Sequence, residues 1–250
     1  MSRPASPLAA TASQTAMELR LTARRGENVL VTIVIPVVVL VFFASFSILP
    51  SGAGRPVDLL LPGALALAII ATSLVNLGIA TAYERNYGVL KRLGGSPLTR
   101  SALLAAKMSA VIVVEVGQIV LLLVIAASVL GWRLGPGASP ALLVVGLLLG
   151  TLAFAGLGLL MAGALRAEAT LALANALFIA FLLLGGIVIP VDHLPGPLAT
   201  LASLLPAAAL AEVFRASLVS GDIAIAAPVA ILVAWGAGAT IAATRTFRWE

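Results

Sequence analysis

A chain of 250 residues that is 61% hydrophobic and 10% charged has too little polar surface to coat a water-soluble domain of that size. The absence of cysteine excludes a disulfide framework, a thiolate nucleophile and a thiolate metal site. The net charge of +5 needs no nucleic acid to balance it, because an anionic membrane leaflet attracts the same cations.

The first 28 residues are polar and hold Arg3, Arg20, Arg24 and Arg25; they read as a cytoplasmic N-terminal segment. The first apolar run begins so far from the start, and is so long, that it reads as a retained span rather than a cleaved signal. A bilayer core about 30 Å thick needs roughly 20 apolar helical residues, and that ruler predicts spans at Val29–Leu49, Leu59–Ala82, Met108–Leu130, Ala141–Leu165, Ala169–Ile189 and Ile223–Ala243. The runs are continuous rather than alternating, which excludes a β-barrel. The expected fold is therefore an all-α membrane protein of six transmembrane helices, with residues 29–250 forming one transmembrane domain.

Lys and Arg set the orientation. Arg85, Lys91, Arg92, Arg100 and Lys107 lie between spans two and three, Arg166 follows span four, and Arg245 and Arg248 close the chain; the alternate loops hold only Arg55, Arg133 and Arg215. Both termini and the 83–107 segment are therefore expected in the cytoplasm. Residues 191–222 carry Pro195, Pro197 and Pro206, which disrupt a regular helix, so this segment reads as a pair of short external helices that lie on or dip into the outer leaflet. Gly185, Gly186 and Pro190 would end the span before it.

Catalytic machinery is missing. His193, the sole histidine, has only Asp192 beside it and reads as a loop residue rather than a metal ligand; no catalytic or metal site is expected. Neither lysine follows a glycine, so the chain has no phosphate-binding loop, and any work against a gradient would draw on a partner or an ion gradient. Within the spans, Glu115 and Gln118 are candidate translocation-path residues, as are Asn76 and Asn175, because buried polar groups in a membrane face an interior or a wet cavity. For the two asparagines the alternative is hydrogen bonding between helices, and for Glu115 it is a neutral packing role. Gly146 and Gly150 give a small-residue spacing that lets helices approach closely, and Glu212 and Arg215 are spaced to pair.

The stretch from Tyr83 to Lys107 is a basic island between apolar runs. Asn86 to Leu93 predicts about two helical turns with Tyr87, Leu90 and Lys91 on one side, broken by Gly94, Gly95 and Pro97, before a helix from Leu98 to Lys107. Its order of residues, Y-E-R-N-Y-G-V-L-K-R-L-G-G-S-P-L-T-R, resembles the E-R-E-x-G-[TV]-L-x-x-L-x-x-[ST]-P-[LV]-x-[RS] pattern of the permeases of ABC type-2 exporters. Glu84, Arg85, Gly88, Leu90, Lys91, Arg92, Leu93, Ser96, Pro97, Leu98 and Arg100 occupy it, while Asn86 replaces the usual second acid. Asn175 to Pro195 and Pro206 to Arg215 are similar to the family's fifth span with its external loop, and to its motif before the last span, and the stretch including Glu18 to Glu27 resembles its interfacial helix.

That resemblance, closest to the daunorubicin/multidrug-resistance-like branch, implies a permease subunit of an ATP-driven exporter in a bacterial plasma membrane. It implies a coupling helix between spans two and three, with Glu84, Arg85, Gly88, Leu90, Lys91, Arg92, Leu93, Pro97, Leu98 and Arg100 coupling to a pair of separate ABC ATPase subunits, and a second permease subunit. ATP and Mg would sit on the ATPase, this chain having no cofactor and no enzymatic activity of its own. The cargo would be amphiphilic, drug-like or lipid-like. The competing expectation is a secondary transporter driven by an ion gradient, which would usually show repeated halves and several intramembrane charges.

Overall fold

The computed structural model describes residues 6–24, 26–45, 55–95, 99–187, 191–218 and 224–246, with only the backbone described at 7, 26–31, 100 and 192. Those residues form helices joined by loops, without a strand: α1 (Pro7–Arg24), α2 (Gly26–Ser45), α3 (Pro56–Ile69), a π-helical segment (Ile70–Asn76), α4 (Leu77–Asn86), α5 (Val89–Gly94), α6 (Arg100–Val129), α7 (Pro140–Ala164), α8 (Ala167–Leu184), a short 3-10 turn (Val191–His193), α9 (Gly196–Ser203), α10 (Pro206–Leu218) and α11 (Ala226–Thr246). Five helices are long and apolar enough to cross a membrane, with α3, the π segment and α4 forming one of them over Pro56–Asn86. The bent pair α9 and α10 adds a sixth candidate, and the apolar stretch described in α2, Thr32–Ser45, is shorter than the others.

The central element is the α3–π–α4 helix, which is almost wholly buried and has α2, α6, α7, α8 and α10 packed around it. Helix association in lipid is driven by close packing rather than water exclusion, so small residues mark where backbones meet. A Cβ on Gly78 would lie 3.0 Å from the Gly158 Cα, and one on Gly158 would lie 2.9 Å from the carbonyl oxygens of Ser73 and Leu74. Gly146 and Gly150, the spacing singled out in the sequence, receive α10 inside the same chain: Val213 and Phe214 crowd Gly146, and Leu210 crowds Gly150.

Those contacts fix the depth of α10. Its last turn is tied to the start of α7 by bonds from the Ser139 N–H to the Ser217 carbonyl (2.8 Å) and from the Gly135 N–H to the Leu218 carbonyl (3.3 Å). Leu210 meets Gly150, ten residues into α7 and therefore about 15 Å from its beginning, and α10 continues inward to Pro206. The bend of 77° between α9 and α10 thus lies part way along α7, with Leu201 and Leu204 exposed beside it, and the pair has the shape of a broken span or a re-entrant loop. Trp235, part way along α11, donates to the Leu204 carbonyl at 3.0 Å and pins this turn. Pro206 opens α10 at a position that needs no backbone donor, which is why a proline predicted to break structure instead begins it. Gly185 caps α8, and Gly186 with φ of 65° turns the chain, as expected; Pro190 lies outside the described residues.

Candidate functional site

The basic end of the bundle is built on two adjacent charges of α4. Glu84 is buried and its Oε2 accepts from Lys107 Nζ at 2.6 Å; Lys107, 1% exposed, also reaches Glu18 of α1 at 3.0 Å. One lysine thereby ties α1, α4 and α6 together, with Gln14 orienting the Glu18 carboxylate at 2.9 Å; the Thr15 hydroxyl donates to the Thr11 carbonyl of its own helix at 3.0 Å, with the Ala106 carbonyl farther off at 3.4 Å. Arg85 points the other way and donates to the carbonyls of Gly163, at 2.5 Å, and Leu165, the last acceptors of α7. These carbonyls sit at the negative end of a helix, where a cation is favoured. The Glu84–Arg85 pair therefore joins α4 to α1, α6 and α7.

The turn that follows differs from the sequence expectation. Asn86 ends α4, and Gly88 adopts φ of 71°, a left-handed conformation that suits glycine, before α5 starts at Val89. The two-turn helix expected over Asn86–Leu93 is thus a single short helix after a kink. Tyr87, Leu90 and Lys91 consequently do not share a side. Leu90 is fully buried in a cluster with Leu77, Leu103, Leu104, Val111 and Leu159, against which Leu93 also packs. Tyr87 is 70% exposed, and Val89, Lys91 and Arg92 are exposed beside it. Ser96, Pro97 and Leu98 lie outside the described residues, as does the side chain of Arg100, whose backbone begins α6 behind the Thr99 cap on Ala102 N–H at 3.2 Å. The exposed side of this segment consists of Tyr87, Val89, Lys91 and Arg92, while Glu84 and Leu90 are buried and Arg85 is half-buried beneath it.

A second polar cluster lies deeper. Glu115 is fully buried; the Ser73 hydroxyl donates to its Oε1, and Thr151 Oγ1 stands 2.5 Å from its Oε2. Gln118 accepts from the Thr72 hydroxyl at 2.9 Å and donates to the Thr32 carbonyl at 3.3 Å. The two residues therefore bind α6 to α2, to the π segment and to α7. Asn76 lines a crevice of about 40 Å³ that also touches Glu18, Thr72, Glu84, Lys107 and Val114. That volume holds only two or three waters, at about 15 Å³ each. Asn175 is separate from these groups: it is exposed on the outer face of α8 and donates to the Leu171 carbonyl of its own helix at 2.8 Å.

Arg215 and Glu212 pair on α10 as their spacing suggested, but on a helix that is largely buried. His193 is exposed, and among the described residues no cluster of His, Cys, Asp or Glu is arranged to hold a metal. The sequence reading did not foresee Lys107 as a hub, nor Thr72, Ser73 and Thr151 as partners of the buried acid and amide. The available signal was depth: Ser73 and Glu115 stand a few turns from Glu84 and Lys107, which turn out to be level with each other.

A family model described as ABC-2 type transporter matches residues 13–219, well over half of the chain. No curated protein matches it.

Proposed function

The chain belongs to the ABC-2 type transporter family, whose permeases generally work with ATPase partners, and from that membership we propose that it is the permease subunit of an ATP-driven exporter. In this reading the helices form six spans with both termini in the cytoplasm of a bacterium, the re-entrant α9–α10 hairpin entering from outside. ATP and Mg reside on a separate pair of ATPase subunits, and this chain supplies no catalytic residue.

The observation that carries the reading is the bracing of the 83–107 segment. An external push is transmitted only if the pushed element is stiffly joined to what must move. α5 is joined through Glu84, Arg85 and Leu90 to α1, α4, α6 and α7, while Tyr87, Val89, Lys91 and Arg92 stay accessible. ATP-driven closure of the ATPase pair shifts the permease between two states in proportion to the difference in its affinity for them. Lys107 extends the same displacement to α1, the interfacial helix.

The crevice at the basic end is too small for an amphiphilic cargo; the larger opening, about 370 Å³ between α7 and α11, is apolar and lined by Leu157, Leu160, Trp235 and Ala239, and in this reading the path runs along a surface shared by two permease subunits. Glu115 and Gln118 are consumed in packing, and Asn175 on the open face of α8 is the polar residue suited to line that path. The cargo class is amphiphilic, drug-like or lipid-like.

The test is to purify the chain with its cognate ATPase and measure permease-dependent ATP hydrolysis in lipid. Changing Lys91→Glu and Arg92→Glu together should weaken assembly about tenfold, each exposed contact being worth up to about 1 kcal/mol, without changing the permease melting temperature. Wild-type assembly and hydrolysis by that variant would remove the coupling role. Transport that needs no ATPase and collapses when an ion gradient is dissipated would replace the exporter with a gradient-driven carrier.

A further inference from the structure

Glu115 lies fifteen residues into α6, about 22 Å from its start and near the middle of the 30-residue helix. Its neighbours supply no cation. Among the described side chains, the π segment and α7 carry no charged residue facing it, and the only such groups of α3, Arg55 and Asp58, pair with each other at the far end. Glu84 and Arg85 of α4 and Glu18 of α1 are engaged at the basic end, and Lys107, eight residues back on α6, is shared by Glu18 and Glu84. No charged side chain is described on the part of α2 that meets Gln118.

The hydroxyl protons can be counted. Thr151 has one proton to donate, yet its Oγ1 lies 2.7 Å from the Leu147 carbonyl and 2.5 Å from Glu115 Oε2. The carbonyl only accepts. Two separate hydrogen bonds, rather than one proton shared between two acceptors, form when Thr151 donates to Leu147 and the proton on the second contact comes from Glu115.

We propose that Glu115 is a proton-binding site: a carboxylic acid whose bound proton lies between Oε2 and Thr151 Oγ1 and completes a donor chain from Ser73 through Glu115 and Thr151 to Leu147. The chain bolts the π segment, α6 and α7 together, and losing the proton removes its middle bond. The crevice of about 40 Å³ runs from Glu18, Glu84 and Lys107 to Thr72 and Val114 and stops one chain position short of Ser73 and Glu115, so exchange of the proton with water at the basic end requires a local opening of the packing. The proposal does not depend on what drives transport.

The experiment is carbon-13 NMR of the full chain with labelled glutamate carboxyls, in lipid vesicles at neutral pH, with infrared spectra of the same samples. One glutamate should be protonated at neutral pH, and its signal should be missing in Glu115→Gln. Ionisation of every glutamate carboxyl in the wild-type chain would overturn the proposal without reference to any variant. Thr151→Val removes the acceptor, so the carbonyl stretch of the acid should move toward that of a free carboxylic acid; an unmoved stretch would overturn the assigned place of the proton.

Discussion

Replacing Lys107 by methionine tests whether one buried cation holds α1 to the bundle. Methionine fills nearly the same space and is apolar, so packing is kept and charge alone is removed. Glu84 and Glu18, with side chains only 11% and 12% exposed, then both lose the Lys107 cation that lies between them. Stranding a buried ion in this way costs about 3–5 kcal/mol, and because both carboxylates line a crevice that admits water, the lower figure of about 3 kcal/mol applies. Thr15 offers little in return, since its hydroxyl proton lies nearer the Thr11 carbonyl of its own helix, at 3.0 Å, than the Ala106 carbonyl, at 3.4 Å. A loss of about 3 kcal/mol raises the opening of α1 from α6 roughly 150-fold. Amide hydrogen exchange in lipid nanodiscs reads this directly, with the amides of α11 as the internal reference. Adding Glu18→Gln and Glu84→Gln to Lys107→Met removes the stranded charges and should bring α1 exchange back to within about tenfold of wild type. Protection of α1 within threefold of wild type in Lys107→Met would refute the reasoning, as would equal loss of protection in α11.

Two further substitutions probe the braces. Gly158→Ala places a Cβ 2.9 Å from two carbonyl oxygens of the π segment, so α7 must move away from it; the expected loss is about 1–3 kcal/mol, read as a lower melting temperature, and an unchanged melt would show that the contact is not tight. Arg85→Lys keeps the charge but cannot donate to both α7 carbonyls in one plane; ATP hydrolysis should become less dependent on the permease while the exposed face, and hence assembly with the ATPase, is retained, and full coupling in the variant would show that charge alone suffices.

Parts of this molecule were legible because they depend on local chemistry. Apolar run length located the long helices, although α6 starts eight residues before the expected Met108 and α8 ends five residues before the expected Ile189, at the glycine pair Gly185 and Gly186. Other parts were not legible. The left-handed Gly88 moved Tyr87 and Leu90 to different sides, and a glycine beside a tyrosine does not reveal in advance whether the chain will kink there. The π segment has no periodic signature of its own; it accompanies the close approach of Gly158 to Ser73 and Leu74, a contact between residues about eighty positions apart. The sequence left open whether the 191–222 pair lies on the leaflet or dips into it, since an apolar helix reads the same in both places, and the contacts of Gly146 and Gly150 place α10 against α7.

The sequence by itself determined that this is a helical membrane protein with a basic segment between two apolar runs, because the hydrocarbon thickness and the cost of placing charge in it act on each stretch separately. Tertiary structure alone decided what the charges and hydroxyls do. Glu84 finds its partner 23 residues away and Thr151 meets Glu115 across 36, and which polar groups face one another depends on helix rotation and depth in the packed bundle. Those are set by the fit of small and large side chains between helices, a property of pairs of surfaces that no single stretch of sequence contains.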